Sequence, residues 1–117
     1  MSNILVIDDE IDIRESIIAI LSDEGFLCDN ASNSKEAIHL IGINKYDLII
    51  LDVWLNDPDY DGMKLLKLIK KDNAKVPIII ISGHGNIDMA VEAIKEGAYE
   101  FVEKPFKSER LILSVSR

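Results

Sequence analysis

Apolar positions along the chain follow two alternating periodicities. Three unbroken apolar runs, at residues 4–7, 48–51 and 78–81, are typical of parallel strands buried on both faces. Two mixed segments, at residues 27–31 and 99–103, combine polar and apolar residues as edge strands do. The pattern predicts five strands, of which three are central and two lie at the edges.

Between these runs, apolar residues recur three or four positions apart and predict five helices. Asn33, with Glu36 three residues later, favours a capping-box start for the second helix. Gly25 and Gly97 follow the first and fourth helices, as glycine often does at a helix end. The apolar positions of the five helices are Ile13, Ile17 and Leu21; Ala37, Ile38 and Ile41; Leu65, Leu66 and Ile69; Ala90, Val91 and Ile94; and Leu111, Ile112 and Val115.

The strict alternation of strands and helices predicts an α/β fold with a parallel sheet and helices on both of its faces. The three central strands are the first, third and fourth in the chain. The flavodoxin-like, doubly wound (βα)5 order 2-1-3-4-5 places those three strands inside and the second and fifth outside. We therefore expect one domain over residues 1–117.

The composition and net charge of the chain exclude several classes of function. The 117 residues carry 13 Lys and Arg against 21 Asp and Glu, a formal net charge of −8. This balance argues against contact with nucleic acid or with an anionic membrane. Cys28 is the single cysteine, so neither an internal disulfide nor a thiolate zinc site is expected. With no long apolar stretch or signal peptide in the sequence, we expect a soluble, cytoplasmic domain.

Polar residues stand where the predicted strands end. Asp8-Asp9 follow the first strand, Asp52 the third, Ser82 the fourth and Lys104 the fifth. In an open parallel sheet, ligands bind beyond the carboxyl ends of the strands at the switch point. We therefore expect three carboxylates, a hydroxyl and an ammonium to converge on one crevice.

Three clustered carboxylates repel one another unless a cation neutralises them, and oxygen-only ligands favour Mg²⁺. A carboxylate beside Mg²⁺, a lysine and a hydroxyl can accept a phosphoryl group. Taken singly, each residue has a plainer explanation: a helix-start acid, a loop acid, a turn serine or a solvated lysine. Their joint occurrence at four strand ends favours the phosphoryl site.

The chain resembles the receiver domain of bacterial two-component response regulators over essentially its whole length. The resemblance rests on Asp8-Asp9, Asp52, Asp61-Gly62, Ser82 and Lys104-Pro105. It implies a switch module, not an enzyme acting on external substrates. Asp52 would accept phosphate from a sensor histidine kinase.

The resemblance also implies the roles of the residues around Asp52. Asp9, Asp52 and the backbone carbonyl of Trp54 would bind Mg²⁺ directly, and Asp8 would act through water. Lys104 would pair with the phosphate.

Signal transmission is implied in the same way. Ser82 would be the switch hydroxyl and Phe101 the switch aromatic, which together alter the surface of helix four, strand five and helix five. Ala98, Tyr99 and residues 111–113 are candidates for a homodimer interface there, and core packing is the competing explanation for part of that set.

Within the family, residues 51–55, 82–86 and 93–99 are similar to the NtrX-type members of the NtrC group, which regulate nitrogen-related transcription. That similarity implies output domains, an ATPase and a helix-turn-helix unit, that are absent from this chain. We therefore expect a receiver fragment with helix five truncated, working with its own output domains; the alternative is a stand-alone receiver in a phosphorelay.

One segment departs from the receiver pattern. Pro58 lies six residues after Asp52, where receivers place a proline about four residues on, so the loop over residues 54–61 is two residues longer. We interpret Asp57, Asp59 and Asp61 as a solvated acidic turn.

Trp54 and His84 lie two positions after Asp52 and Ser82, where receivers control the access of water to the phosphate. A bulky Trp54 would shield the phosphate, or would merely cover nearby apolar surface. We assign no metal to His84 or His39.

Two other functions compete with the switch module. A Mg²⁺-dependent phosphohydrolase with an aspartyl-phosphate intermediate needs an Asp-x-Asp pair, and position 54 is Trp. A flavin or nucleotide carrier needs a phosphate loop after strand one, where the sequence has Asp8-Asp9-Glu10.

Overall fold

The computed structural model describes residues 2–54, 61–83 and 87–116, and it confirms the alternating order of five strands and five helices. The strands are β1 (Asn3–Ile7), β2 (Leu27–Ala31), β3 (Leu48–Asp52), β4 (Ile78–Ser82) and β5 (Glu100–Glu103). The helices are α1 (Ile11–Asp23), α2 (Ser34–Ile43), α3 (Gly62–Asp72), α4 (Ile87–Lys95) and α5 (Ser108–Ser116).

The five strands form one parallel sheet in the order β2-β1-β3-β4-β5, as the sequence predicts. β3 and β4 are buried along their whole length, whereas most positions of β2 and β5 are exposed or half-buried. In register, Ile7 pairs with Leu51, Leu51 with Ile80 and Ile80 with Phe101. The carboxyl ends of β1, β3, β4 and β5 therefore meet at one edge of the sheet.

Two apolar layers, one on each face of the sheet, form the core. Ile49 and Leu51 of β3 belong to the layer beneath α2, α3 and α4, whereas Leu48 and Ile50 belong to the layer beneath α1 and α5. Since alternate residues of a strand point to opposite faces, a continuous apolar run is what a sheet covered on both sides requires. None of the described helices is long and apolar enough to cross a membrane.

Side-chain caps fix the starts of α2 and α3. Asn33 accepts from the backbone N–H of Glu36 at 2.9 Å, as the sequence predicts, and Glu36 accepts from the N–H of Ser32 at 2.8 Å. Asp61 accepts from the N–H of Lys64 at 2.8 Å. Asp61 is exposed, in keeping with a solvated turn, and its carboxylate also satisfies a backbone donor at the start of α3. Asp57, Pro58 and Asp59 lie outside the described residues.

The proposed interface over α4, β5 and α5 is only partly at the surface. Ala98 and Leu111 are buried in the core, so packing explains these two members of the set. Tyr99 and Leu113 are 49% and 53% exposed.

Gly25 and Gly97 have φ angles of 91° and 106°, a left-handed conformation that favours glycine after a helix.

Candidate functional site

Three carboxylates cluster where β1 and β3 end. Asp8 and Asp9 directly follow β1, and Asp52 is the last residue of β3. One carboxylate oxygen from each lies within 4.8 Å of the others. Asp8 and Asp52 are buried, whereas Asp9 is exposed, so the cluster opens to solvent on the side of Asp9.

Lys104 joins the cluster from the end of β5. Its Nζ lies 3.1 Å from Asp8 Oδ2 and 3.2 Å from Asp52 Oδ2. The backbone N–H of Lys104 donates to the carbonyl of Ser82 at 2.7 Å, which ties this residue to the end of β4. The following peptide bond, to Pro105, is cis. The structure thus brings the predicted ammonium to the predicted carboxylates.

Backbone donors orient the two buried carboxylates. The N–H of Glu10 donates to Asp8 Oδ1 at 2.9 Å, and the N–H of Trp54 donates to Asp52 Oδ1 at 3.0 Å. With the Lys104 ammonium, these two backbone amides give each of the four carboxylate oxygens of Asp8 and Asp52 a hydrogen-bond donor. Both carboxylates are therefore held in a fixed orientation by the turns that follow their strands.

The electrostatics of the site reflect its excess of negative charge. Burial, with the charge of Asp52 adding to it, raises the pKa of Asp8 to about 6, against the lowering effects of the Glu10 amide and Lys104. Burial disfavours the Lys104 ammonium, but the neighbouring Asp52 and Asp8 carboxylates outweigh burial and raise the pKa of Lys104. Lys104 contacts two of the three clustered carboxylates, and an added cation would relieve the repulsion among them.

The donor set fits a magnesium ion. Carboxylate oxygens are hard ligands, and a small number of them, completed by water, suits Mg²⁺. Asp8, Asp9 and Asp52 bring three such oxygens together, and Asp9 faces solvent where water can complete the coordination. A cation held there would supply positive charge beside Asp52.

The remaining predicted residues surround this cluster. Ser82 is buried at the end of β4, the strand that pairs with β3. Phe101 on β5 is half-buried and packs against the layer beneath α4. Trp54 is 47% exposed and contacts Asp52 through its backbone amide. His84 lies outside the described residues.

Sequence reasoning missed the role of two neighbours of the site. Gly62 donates its N–H to the carbonyl of Val53 at 3.1 Å, and a Cβ at position 62 would lie 2.4 Å from the carbonyl oxygen of Asp52. The Asp61-Gly62 pair was a visible signal of a helix start, but not of this close approach. Arg14 donates from Nη1 to the carbonyl of Asp8 at 2.7 Å. No motif in the sequence points to that contact.

Comparisons with a family model and with individual proteins indicate the same family. The family model described as "Response regulator receiver domain" matches residues 4–116. A putative NtrX-like response regulator of Rickettsia bellii is 46% identical over 115 residues, 98% of this chain and 24% of the relative. The nitrogen assimilation regulatory protein NtrX of Azorhizobium caulinodans is 45% identical over 98% of this chain and 25% of its own length.

Solved structures show the same likeness. The receiver domain of NtrX from Brucella abortus superposes with a TM-score of 0.93 at 49% identity, covering 97% of this chain and 95% of that one. This chain spans about a quarter of the length of the curated relatives. Its sequence, sheet order and cluster of carboxylates and lysine agree with one another. The chain belongs to the response regulator receiver domain family.

Proposed function

We propose that Asp52 is the phosphoacceptor of this receiver domain and that its donor is the phosphohistidine of a sensor kinase. The observation that carries the proposal is the position of the Asp52 carboxylate. It lies at the carboxyl end of a central strand, 3.2 Å from the Lys104 ammonium and beside two further carboxylates. Receiver domains relay phosphorylation to an output domain, and the Asp52 carboxylate would receive the phosphoryl group in this chain.

The transfer is a nucleophilic displacement at phosphorus. A carboxylate oxygen of Asp52 forms the new P–O bond, while the P–N bond to the donor imidazole breaks and its electron pair stays on the imidazole nitrogen. Lys104 would offset charge on the transferred phosphoryl oxygens, since its Nζ already contacts Asp52 Oδ2. Buried Ser82, at the end of the neighbouring strand, would donate a hydrogen bond to the phosphoryl group.

Asp9, Asp52 and the carbonyl of Trp54 would hold Mg²⁺ directly, with Asp8 acting through water. The support is the 4.8 Å cluster of three carboxylates and the turn that places the Trp54 amide on Asp52. The ion would supply charge neutralisation to the incoming phosphoryl group. These residues would bind and orient the ion, and Lys104 would balance the negative charge that remains on the carboxylates.

Phosphorylation would then be transmitted across β4 and β5. Attraction of Ser82 to the phosphate would draw in the chain after β4, and Phe101 would turn towards the vacated space. Four half-exposed apolar residues lie on these elements: Val91 and Ile94 on α4, Tyr99 just before β5 and Leu113 on α5. We propose that this surface, the α4–β5–α5 face, contacts a second copy of the chain.

The wider regulator follows from the relatives. One of them is named as a nitrogen assimilation regulator, and this chain covers about a quarter of its length. We propose that this receiver controls nitrogen-related transcription through output domains of its own.

The experiment is incubation with acetyl phosphate and Mg²⁺, followed by intact-mass measurement. We expect one phosphoryl adduct per chain, lost in Asp52→Asn and in the presence of a chelator, and retained in Lys35→Gln, a control at an exposed helix position. An adduct of equal yield in Asp52→Asn would overturn the proposal. Continuous release of phosphate at many turnovers would instead indicate a phosphohydrolase.

A further inference from the structure

We propose that Arg14 is a positioning residue for the magnesium site, because its guanidinium holds the turn that carries Asp8 and Asp9. The inference rests on the proposed function, since it concerns the same metal. Arg14 acts through the backbone of Asp8, whose carbonyl oxygen its guanidinium contacts.

The contact is short and specific. Arg14 Nη1 donates to the carbonyl oxygen of Asp8 at 2.7 Å, in a half-buried position. The N–H of Asp8 donates to the carbonyl of Ala31 on β2 at 3.1 Å. Both main-chain polar groups of Asp8 are therefore fixed, one by the sheet and the other by α1.

The start of α1 lacks the usual means of anchoring. Glu10, its N-cap residue, makes no side-chain hydrogen bond to the first turn. Its backbone N–H instead donates to Asp8 Oδ1 at 2.9 Å. Arg14 lies in the first turn of α1, and its side chain extends back past residues 9 and 10 to the end of β1. It links the helix to the strand where a capping side chain is missing.

The position of Asp9 depends on this arrangement. Asp9 lies between Asp8, whose carbonyl Arg14 holds, and Glu10, whose amide binds the Asp8 carboxylate. Residues that orient metal ligands from behind commonly change metal affinity by about 10- to 100-fold when they are replaced. Loosening the Asp8 carbonyl would allow the turn, and the Asp9 carboxylate with it, to leave the geometry that the metal needs.

Charge and position make opposite predictions, which allows a decisive test. Arg14 is a cation near a cation site, so a purely electrostatic role predicts that its loss tightens Mg²⁺ binding. A positioning role predicts that its loss weakens binding. Arg14→Met retains the length of the stem and removes the donors, whereas Arg14→Lys retains the charge and removes the planar fork.

The experiment is calorimetric titration of the whole domain with MgCl₂ for wild type, Arg14→Met, Arg14→Lys and Arg110→Met. Arg110 is a matched control, because it pairs with Glu100 of β5 and not with the site. We expect the dissociation constant to rise about tenfold or more in Arg14→Met and also to rise in Arg14→Lys, while Arg110→Met stays at the wild-type value. Melting temperatures without Mg²⁺ separate this effect from general destabilisation.

Each outcome decides. An unchanged or lower dissociation constant in Arg14→Met, with wild type binding normally, overturns the positioning role alone. If wild type itself does not bind Mg²⁺, the proposed metal site fails instead. Should Arg14→Met fail to fold, the comparison of Arg14→Lys with wild type decides, because any weakening at constant charge is geometric.

Discussion

The ammonium of Lys104 bridges carboxylates at the ends of two different strands, lying 3.2 Å from Asp52 Oδ2 and 3.1 Å from Asp8 Oδ2. This bridge ties the end of β5 to the ends of β3 and β1. Lys104 can therefore move with a phosphoryl group added to Asp52. Because Lys104 directly follows β5, such a movement would displace the end of that strand. The same side chain thus contacts the phosphorylation site and connects it to the proposed switch strand.

The raised pKa of Asp8 predicts a pH dependence of stability without divalent cations. The folded-state pKa is about 6 against an ordinary value of 3.8, so the folded chain binds more protons between these values. The contribution of Asp8 to stability is therefore largest below about pH 4 and falls as the pH rises to about 6. Relative to Asp8→Asn, wild type should lose on the order of 3 kcal/mol of unfolding free energy across this window.

Urea denaturation of both proteins at a series of pH values, with a chelator present, measures this difference. Parallel pH profiles would contradict the account of Asp8. Adding Mg²⁺ at neutral pH should stabilise wild type, because an ion that binds only the folded chain favours folding.

The close packing of the backbone around Gly62 leads to a second prediction. A Cβ there would lie 2.3 Å from Val53 Cα and 2.4 Å from the Asp52 carbonyl oxygen, and backbone atoms cannot move aside without distorting the site. Gly62→Ala should lower the free energy of unfolding by roughly 3 kcal/mol. Gly42→Ala is the matched control, since no atom beyond the neighbouring residues and backbone of its own helix lies within 4 Å of a Cβ there. It should raise stability by about 0.5 to 1 kcal/mol. Equal effects of the two changes would show that the close approach is unimportant.

Trp54 yields a prediction about the lifetime of the phosphate. Its side chain is 47% exposed beside Asp52, to which its backbone amide is bonded. If the indole shields the aspartyl phosphate from water, Trp54→Asn should lose phosphate several-fold faster, measured by intact mass over time. Ile43→Asn, a change at an exposed apolar residue at the end of α2, should decay at the wild-type rate. An unchanged rate in Trp54→Asn would mean that the indole only covers apolar surface.

The α4–β5–α5 face predicts phosphorylation-dependent dimerisation. Ile94 on α4 is 48% exposed, and Ile94→Glu should weaken the phosphorylated dimer by about tenfold or more, because it places a charge in an apolar contact. Ile43→Glu, at a residue 66% exposed at the end of α2, should leave the dimer unchanged. Sedimentation velocity with and without phosphodonor measures both. A wild type that stays monomeric when phosphorylated would contradict the proposed contact.

Much of the fold could be predicted because its signals are local. An unbroken run such as residues 78–81 is what a strand covered on both faces requires, and mixed residues 27–31 suit an edge. Once strand order follows from the runs, the convergence of Asp8, Asp52 and Lys104 follows from the geometry of a parallel sheet. The sequence therefore predicts the cluster, although not its distances.

Contacts with the backbone could not be predicted in the same way. Arg14 binds a carbonyl oxygen six residues away, and every residue type has such a carbonyl, so no residue pattern marks the contact. The close approach of Gly62 to Asp52 depends on how α3 sits on β3. The Asp61-Gly62 pair predicts a helix start, although not the 2.8 Å contact by which the exposed Asp61 carboxylate caps α3.

The most direct measurement locates the phosphate itself. Acetyl phosphate treatment with Mg²⁺, followed by borohydride reduction, converts a phosphorylated aspartate into homoserine, which peptide mass spectrometry assigns to one position. Phosphorylation of Asp52 predicts homoserine at position 52, with Asp8 and Asp9 unchanged. Homoserine at position 8 or 9, or none at position 52 after a phosphoryl adduct has formed, would contradict it.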